Sequence, residues 1–360
     1  MSDRLRDLTL ELMRIPGLSG HEDRVRARIA AELDALGLAH RTDVLGNLIV
    51  TLLGDGPAVM LIAHMDQVGL MVRRVEVDGL LRVERVGGVP VRTLLGQAVL
   101  ICLSEGRDLP GVIGAKSHHA TTAEERMEVP ALADLTIDAG FASAEDAWAA
   151  GVEIGTPVVC QPQALQLAGG RIAGTAVDDR AACAVALEVA RALADGAAHP
   201  TVHLVFSVQE EFNLRGALPA AQALRPDIAL QFDLALAADT PEMAGSGEVH
   251  LGAGPALSLM SFHGRGTLNG LLPHPALVRL AEAAAGAESL GLQRALHMGV
   301  LTETSYVQLV GEGVACLDLG FPCRYAHAPV EVCDLSDLRG LAQLVLAMLA
   351  RIGPDFELTR

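Results

Sequence analysis

Two adjacent carboxylates, Glu210 and Glu211, follow the apolar run LVFSV, which begins at Leu204. An apolar, β-branched run of this kind predicts a buried strand, so both charges are expected where that strand ends. Because consecutive side chains of a strand point to opposite faces, one Glu could bind a metal ion while the other moves protons. A solvated loop, or an ion pair with Arg215, would explain the same residues. The pair alone therefore leaves a metal site and a surface loop open.

Two other segments place polar residues at the ends of predicted elements. His64 and Asp66 end the run VMLIAHMD, and residues two apart in an extended chain share a face. Asp66 could therefore lie behind His64 and fix its tautomer, although a turn with incidental polar residues would look the same. Asp178 and Asp179 stand where a predicted helix begins. One could cap that helix while the other points into a cleft, where its two oxygens could bridge two metal ions.

Two further segments add carboxylates and a histidine. The run DIALQFDLALAADTPE contains Asp233 and Asp239, and spacing does not choose between them. His327 follows a predicted strand and precedes a helix that we expect to be capped near Asp334 or Ser336. A single histidine is more often structural than a metal ligand. Two histidines and three or more carboxylates at successive strand ends are nevertheless the ligand set of a dinuclear metal site.

The order of the predicted elements indicates an α/β fold with an inserted β module. Strand and helix patterns alternate in the first and last parts of the chain, which predicts a central sheet flanked by helices. From residue 69 to residue 161 the chain is rich in Val and Gly with turn signals, which predicts a small all-β unit. We therefore expect a discontinuous α/β catalytic domain, residues 1–68 and 162–360, interrupted by a β-rich domain, residues 69–161.

Composition narrows the class of protein. The 360 residues carry a net charge of −17, which argues against nucleic-acid partners because phosphate binding needs a basic surface. No run approaches the roughly 18 apolar residues of a membrane span, and the N-terminus lacks an apolar signal-peptide core. Six scattered cysteines without a C-x-x-C pair predict reduced thiols in a cytoplasmic protein. Cys323 is close to His327, but a carboxylate-rich site does not need a thiolate ligand.

The motifs together resemble one enzyme family. AHMDQVGLMV, VDDR, VQEEFNLRGA, DIALQFD and CRYAHAPVEVCD occur in one order. They resemble the dinuclear-metal aminopeptidases that assemble as tetrahedral particles, a family that includes glutamyl aminopeptidases and proteins once labelled cellulase M. The resemblance runs from PGLSGHE to the terminal helix. It implies a metallo-aminopeptidase-like catalytic domain and, as the inserted unit, a small β-barrel dimerisation domain through which dimers build a dodecamer.

The resemblance also implies a ligand set for two divalent metal ions per subunit, zinc or cobalt, with manganese as a further candidate. His64 and Asp233 would hold one ion, and Glu211 and His327 the other. Asp178 would bridge the two ions. The family pattern thus selects Asp233 from the run in which spacing left two carboxylates open.

The implied activity is the removal of N-terminal amino acids from peptides by a metal-activated water. Glu210 would act as general base and acid, and Asp66 would orient His64. Alternatives are another dinuclear amidohydrolase, such as an N-deacylase or a carboxypeptidase, and a non-catalytic metal-bound assembly protein. A free α-amine requirement would separate the aminopeptidase from the other amidohydrolases.

The chain also departs from the family pattern. Thr302 and Glu303 stand where the family usually has Gly-Gly-Thr-Asp-Ala, and KSHH at residues 116–119 replaces Lys-Pro-Pro-His. None of these positions matches a predicted ligand. The resemblance implies that they lie where the family shapes its substrate pocket and chamber, so we expect them to affect substrate preference and assembly. The histidines without a matching ligand role are His118, His119, His263, His274 and His297.

Overall fold

The computed structural model describes residues 2–263 and 270–360 of the chain. Its helices are α1 (Ser2–Leu12), α2 (Asp23–Ala35), α3 (Ala144–Ala149), α4 (Val177–Ala194), α5 (Ala217–Leu224), α6 (Pro275–Ala287), α7 (Thr304–Val307) and α8 (Leu335–Leu349). Its strands are β1 (His40–Thr42), β2 (Leu48–Leu52), β3 (Val59–His64), β4 (Gly69–Val75), β5 (Leu81–Val86), β6 (Ala98–Ile101), β7 (Leu109–Ile113), β8 (Ile137–Asp138), β9 (Pro157–Cys160), β10 (Ala164–Gln166), β11 (Arg171–Gly174), β12 (Val202–Ser207), β13 (Ile228–Leu236), β14 (Ala256–Phe262), β15 (Gly270–Leu271), β16 (Gln293–Met298), β17 (Ala315–Arg324) and β18 (Glu331–Asp334).

A large mixed sheet forms the centre of the molecule. Its strand order is β1-β2-β12-β3-β13-β17-β18-β11-β10, and β14 joins it beside β17 together with β15 and β16. The four strands β12, β3, β13 and β17 run parallel. Strands β3 and β12 are buried along their whole length, as near-continuous apolar runs are when helices cover both faces of a parallel sheet.

Helices pack on both faces of this sheet. Leu61 of β3 lies in the main core with residues of α1, α4 and α8, while the next residue, Ile62, packs in a second core with α5 and α7. Adjacent strand residues face opposite sides, so the two cores lie on opposite faces. The predicted α/β architecture is confirmed.

A second, smaller sheet closes into a barrel. Its strand order is β4-β5-β8-β7-β6-β9, and every pairing between these strands is antiparallel. The barrel has its own core, which includes Leu70, Val83, Val99 and Ile137. The inserted β-barrel of the expected fold class is therefore present. The division of the chain at residues 69 and 161 stays a prediction, as does the role of the barrel in dimerisation.

The parallel strands bring their carboxyl ends to one edge of the sheet. His64 is the last residue of β3, and it pairs in register with Ser207, the last residue of β12. Asp233 lies within the neighbouring strand β13. This edge is where ligand sites form in open α/β sheets. None of the described helices is long and apolar enough to cross a membrane.

Candidate metal centre

A first cluster of metal-ligating side chains lies at the ends of β3 and β13. Ligand atoms of His64, Asp178, Asp179 and Asp233 all lie within 4.8 Å of one another, and all four residues are buried. Nε2 of His64 is 3.1 Å from Oδ1 of Asp178. The amide of Gln231 donates a hydrogen bond to Oδ2 of Asp233 at 3.3 Å. Three residues predicted as ligands therefore meet here, joined by Asp179, which the resemblance did not include.

A second cluster shares Asp178 with the first. Ligand atoms of Asp178, Glu211 and His327 lie within 4.8 Å of one another. Nε2 of His327 is 3.4 Å from Oδ2 of Asp178 and 3.4 Å from Oε1 of Glu211. Asp178 thus presents one carboxylate oxygen to each cluster, and the structure brings together all five residues expected to bind metal.

The glutamate pair lies in a turn rather than on a strand. Strand β12 ends at Ser207, and Gln209, with φ of 55°, precedes the pair. The expectation that strand alternation separates the two side chains is therefore wrong, because the turn sets their directions. The side chains still diverge. Glu211 belongs to the second cluster, whereas Oε2 of Glu210 is 3.9 Å from Nε2 of His64.

Asp66 connects the histidine segment to the glutamate pair. It is fully buried and accepts hydrogen bonds from the backbone N–H groups of Glu210 and Glu211, both at 3.0 Å, and from Ser19 Oγ at 2.5 Å. Its Oδ1 is 3.5 Å from Nδ1 of His64, which is long for a hydrogen bond. Asp66 therefore holds the glutamate turn through contacts shorter than its contact with His64, and its orienting role towards His64 stays a prediction.

The start of α4 differs from the expected capped helix. The N-cap position is Ala176, with φ of 53° and no side-chain hydrogen bond. Neither Asp178 nor Asp179 caps the helix, because both carboxylates face the first cluster. Oδ2 of Asp179 accepts a hydrogen bond from the backbone N–H of His64 at 3.2 Å, and its buried Oδ1 has no protein partner among the described residues. That oxygen is available to a bound cation.

Asp239 and Arg215 both lie outside the two clusters. Asp239 accepts two hydrogen bonds from the guanidinium of Arg324, at 2.7 and 2.6 Å, and is thereby paired. Arg215 lies over the ring of Phe212, 5.7 Å from its centroid, rather than beside the glutamate pair. The helix α8 is capped as expected, by Asp334, whose side chain accepts from the N–H of Ser336.

Glu331 links the two clusters and was not singled out in the sequence. It is 2% exposed, and its two oxygens accept hydrogen bonds from the backbone N–H groups of Asp178, at 3.0 Å, and His327, at 2.7 Å. His327 adopts a φ of 64°, in the left-handed region that residues other than Gly rarely occupy. Glu331 therefore fixes the backbone of both residues. Its only sequence signal is its place four residues after His327, which does not predict a contact.

Burial and mutual repulsion shift the pKa values of these groups. Burial, and then the charges of Asp233 and Glu211, raise the pKa of Glu210 well above its usual value. Burial raises the pKa of Glu211 to about 7 and that of Asp233 well above its usual value. Burial acts on Asp178 too, but hydrogen bonds from both histidines hold its pKa below the usual value. The site carries more buried negative charge than its histidines neutralise, which favours a bound cation.

The clusters line a cavity of about 470 Å³. Apolar side chains share its lining with the carboxylates, and the described lining residues include no Lys or Arg. His263 lines this cavity but belongs to neither cluster. The apolar and aromatic wall residues include Leu214, Leu234, Leu236, Val300, Leu301 and Tyr306.

The chain is similar to known proteins over most of its length. The sequence model of the M42 glutamyl aminopeptidase family matches residues 46–344. The protein SgcX of Escherichia coli (strain K12) is 37% identical over 359 residues, which cover 99% of this chain and 96% of SgcX. A lysyl aminopeptidase of Pyrococcus furiosus is 32% identical over 97% of this chain and 98% of its own length.

A solved structure of similar shape is that of the Pyrococcus horikoshii TET1 peptidase, described as able to assemble into a tetrahedron or a large octahedral shell. It superimposes with a TM-score of 0.85 at 29% identity, over 96% of this chain and 99% of the other. The resemblance expected from the motifs is confirmed. The chain belongs to the M42 glutamyl aminopeptidase family and is a hydrolase that acts on peptides.

Proposed function

We propose that this protein is a metal-dependent aminopeptidase that removes N-terminal amino acids from peptides. The observation that carries the proposal is the position of Asp178 between the two clusters. Its Oδ1 faces His64 of the first cluster and its Oδ2 faces His327 of the second. Two divalent ions would then lie on either side of it. His64 and Asp233 would hold one ion, and Glu211 and His327 the other.

The donor atoms fit divalent ions of borderline character. Imidazole nitrogens and carboxylate oxygens, without a thiolate, suit zinc, cobalt or manganese. Cys323, the cysteine closest in sequence to His327, is 1% exposed and lies outside both clusters. When bound, two such ions would polarise the scissile carbonyl and lower the pKa of an attacking water.

Glu210 is assigned as general base and acid. It faces the cavity beside the first cluster and is not a member of either ligand group. A carboxyl with a raised pKa can both accept a proton from water and return it to the leaving amine near neutral pH. Such proton transfer typically contributes roughly 10²–10⁴-fold in rate. Asp66 would support this step by holding the backbone of the glutamate pair.

We further propose that the chain assembles as a homo-oligomer, in which dimers formed through residues 69–161 build a dodecamer. The tetrahedral assembly of the TET1 peptidase supports this. Large apolar side chains are exposed in this segment, among them Val77, Met127 and Ile154, at 88%, 88% and 77%. The six free cysteines fit the reducing cytoplasm. Light scattering of the purified protein would give the mass, and a monomer at micromolar concentration would contradict the assembly.

The activity is tested by removing metal with a chelator and adding zinc, cobalt or manganese back. Aminoacyl-p-nitroanilides of Leu, Glu, Lys and Ala serve as substrates, and N-acetyl-Leu-p-nitroanilide is the matched control. We expect metal-dependent cleavage of the free-amine substrates only. Cleavage of the acetylated compound would instead place the protein among the N-deacylases or endopeptidases.

A further inference from the structure

The glutamate pair sits on a loop whose two ends touch. We call residues 208–216, between β12 and α5, the glutamate loop. The Asn47 side chain spans its neck: Oδ1 accepts from the N–H of Val208 at 3.1 Å, and Nδ2 donates to the carbonyl of Gly216 at 2.9 Å. A Cβ on Gly216 would lie 2.3 Å from the carbonyl oxygen of Val208. The neck is therefore closed as tightly as a backbone contact allows.

Glu22 holds the next residue of the loop. Its Oε1 accepts hydrogen bonds from the N–H of Gln209, at 3.0 Å, and from the N–H of Gly20, at 2.7 Å. The hydrogen bond from Gly20 holds the Glu22 carboxylate close to the backbone of its own segment. The carboxylate is therefore already positioned to accept the hydrogen bond from Gln209. Gln209 has φ of 55° and is the residue from which the chain turns into the glutamate pair. Glu22 is 4% exposed, so water does not replace this contact.

Glu303 holds the segments on either side of the neck. Its carboxylate accepts a hydrogen bond from the hydroxyl of Ser207, the last residue of β12. It also accepts from the N–H of Ala217, the first residue of α5, at 2.6 Å. One fully buried carboxylate thus joins the strand that enters the glutamate loop to the helix that leaves it.

Four consecutive loop N–H groups, from residue 208 to residue 211, bond to side-chain oxygens supplied by other segments. Asn47, Glu22 and Asp66 provide these oxygens. Among the described residues, no strand or helix pairs these four N–H groups. Backbone hydrogen bonds within the loop run from the N–H of Leu214 to the carbonyl of Glu210, at 2.7 Å, and from the N–H of Arg215 to the carbonyl of Gln209, at 3.2 Å. The side-chain acceptors therefore anchor the backbone path of the loop to the neighbouring segments. That path decides where the side chains of Glu210 and Glu211 point.

We propose that Glu22, Asn47 and Glu303 are positioning residues that hold Glu210 and Glu211 in their places at the metal centre. The proposal rests on the proposed function, since it assigns the pair a role in metal binding and proton transfer. Removing a buried carboxylate or amide that accepts these bonds would leave the backbone donors without a partner, so the backbone would relax away from its present path. Glu22 and Asn47 bond to the glutamate loop and Glu303 bonds to the residues that flank it, and that loop carries the predicted base.

The test compares Glu22→Ala and Asn47→Ala with a matched control, Asp337→Ala. Asp337 is buried and also accepts two backbone N–H bonds, from Gly252 at 2.7 Å and Gly254 at 2.8 Å, away from the metal centre. The readouts are kcat and KM for Leu-p-nitroanilide, the affinity of the metal-free protein for Co²⁺ from its visible absorption, and the unfolding temperature.

We expect Glu22→Ala and Asn47→Ala to lower kcat and Co²⁺ affinity by about 10–100-fold, the usual effect of removing a partner that orients metal ligands, with a smaller change in KM. Glu22→Gln should have near wild-type kcat and Co²⁺ affinity, because its amide oxygen can accept both hydrogen bonds that Oε1 of Glu22 now accepts. Asp337→Ala should lower the unfolding temperature only.

The proposal is overturned if both alanine variants behave like Asp337→Ala, losing thermal stability with kcat and Co²⁺ affinity unchanged. Should Glu22→Ala not fold, Asn47→Ala decides by the same readouts. A wild-type protein that binds Co²⁺ but cleaves no free-amine substrate would refute the proposed function alone. The Co²⁺ affinities of the variants would still decide the positioning role.

Discussion

Replacing Glu331 by Ala is expected to weaken one of the two metal sites selectively. The substitution removes the acceptors of two backbone hydrogen bonds, at 3.0 Å to Asp178 and 2.7 Å to His327. A hydrogen bond to a charged group contributes about 1.5–3 kcal/mol, and a left-handed backbone costs a residue with a side chain about 1–2 kcal/mol. His327, with φ of 64°, therefore has both the freedom and the driving force to relax once Glu331 is gone.

The loss should fall mainly on the second cluster. Asp178 also belongs to the first cluster, which keeps its ligands His64 and Asp233. His327 belongs only to the second cluster. We expect one of the two Co²⁺ affinities, that of the second cluster, to fall by about 10–100-fold, which corresponds to about 1.4–2.7 kcal/mol. Glu331→Gln keeps one acceptor for two N–H groups and should fall between Glu331→Ala and wild type.

Stoichiometric titration of the metal-free protein with Co²⁺ measures this effect. The matched surface control is Glu282→Ala, which removes an exposed carboxylate of α6 that pairs with Arg294 of β16, outside both clusters. If Glu331→Ala binds two ions per chain with wild-type affinity, the inference that Glu331 fixes His327 in its binding position is refuted.

Further predictions concern the loop, a buried acid and the cavity. Gly216→Ala should distort the neck against Val208 and lower kcat. Gly286→Ala, where a Cβ would meet no atom of the described residues within 4 Å, should not; equal kcat values in circular-dichroism-matched samples would contradict the close contact. Burial raises the pKa of Glu303 from 4.5 to about 7. A group whose pKa is higher in the folded than in the unfolded state stabilises the fold at low pH, and this stabilisation is lost as the pH rises. Between pH 6 and pH 8.5, the free energy of unfolding of the metal-free wild type, measured by urea titration, should therefore fall by about 1.4 kcal/mol more than that of Glu303→Gln. Equal losses would contradict that shift. The apolar cavity walls, with no Lys or Arg among the described lining residues, predict a higher kcat/KM for Leu- than for Glu-p-nitroanilide, and the reverse order would contradict this.

The sequence predicted the architecture because strand patterns are local. The buried runs that became β3, β12 and β13 were recognisable from composition, and parallel pairing then placed their carboxyl ends together. That is why the predicted ligands, from His64 to His327, converge although they are distant in the chain. The barrel was likewise recognisable from its Val- and Gly-rich alternation.

The supporting residues could not be predicted because their contacts join distant segments. Glu22 contacts Gln209, 187 positions away, and Glu331 contacts Asp178, 153 positions away. No local pattern encodes such a pair, since it depends on how two loops meet after the sheet has formed. The helix cap that one of Asp178 and Asp179 could have formed is absent for the same reason, because both carboxylates face the first cluster instead.

The central claim is that Glu210 transfers the proton at the metal centre without itself being a metal ligand. The most direct test measures metal content and kcat in the same preparation of Glu210→Gln. We predict two divalent ions per chain, as in wild type, and a kcat at least about 100-fold lower. A variant that binds two ions and keeps near-normal kcat would show that another group performs the proton transfer. Loss of metal would show that Glu210 is a ligand instead.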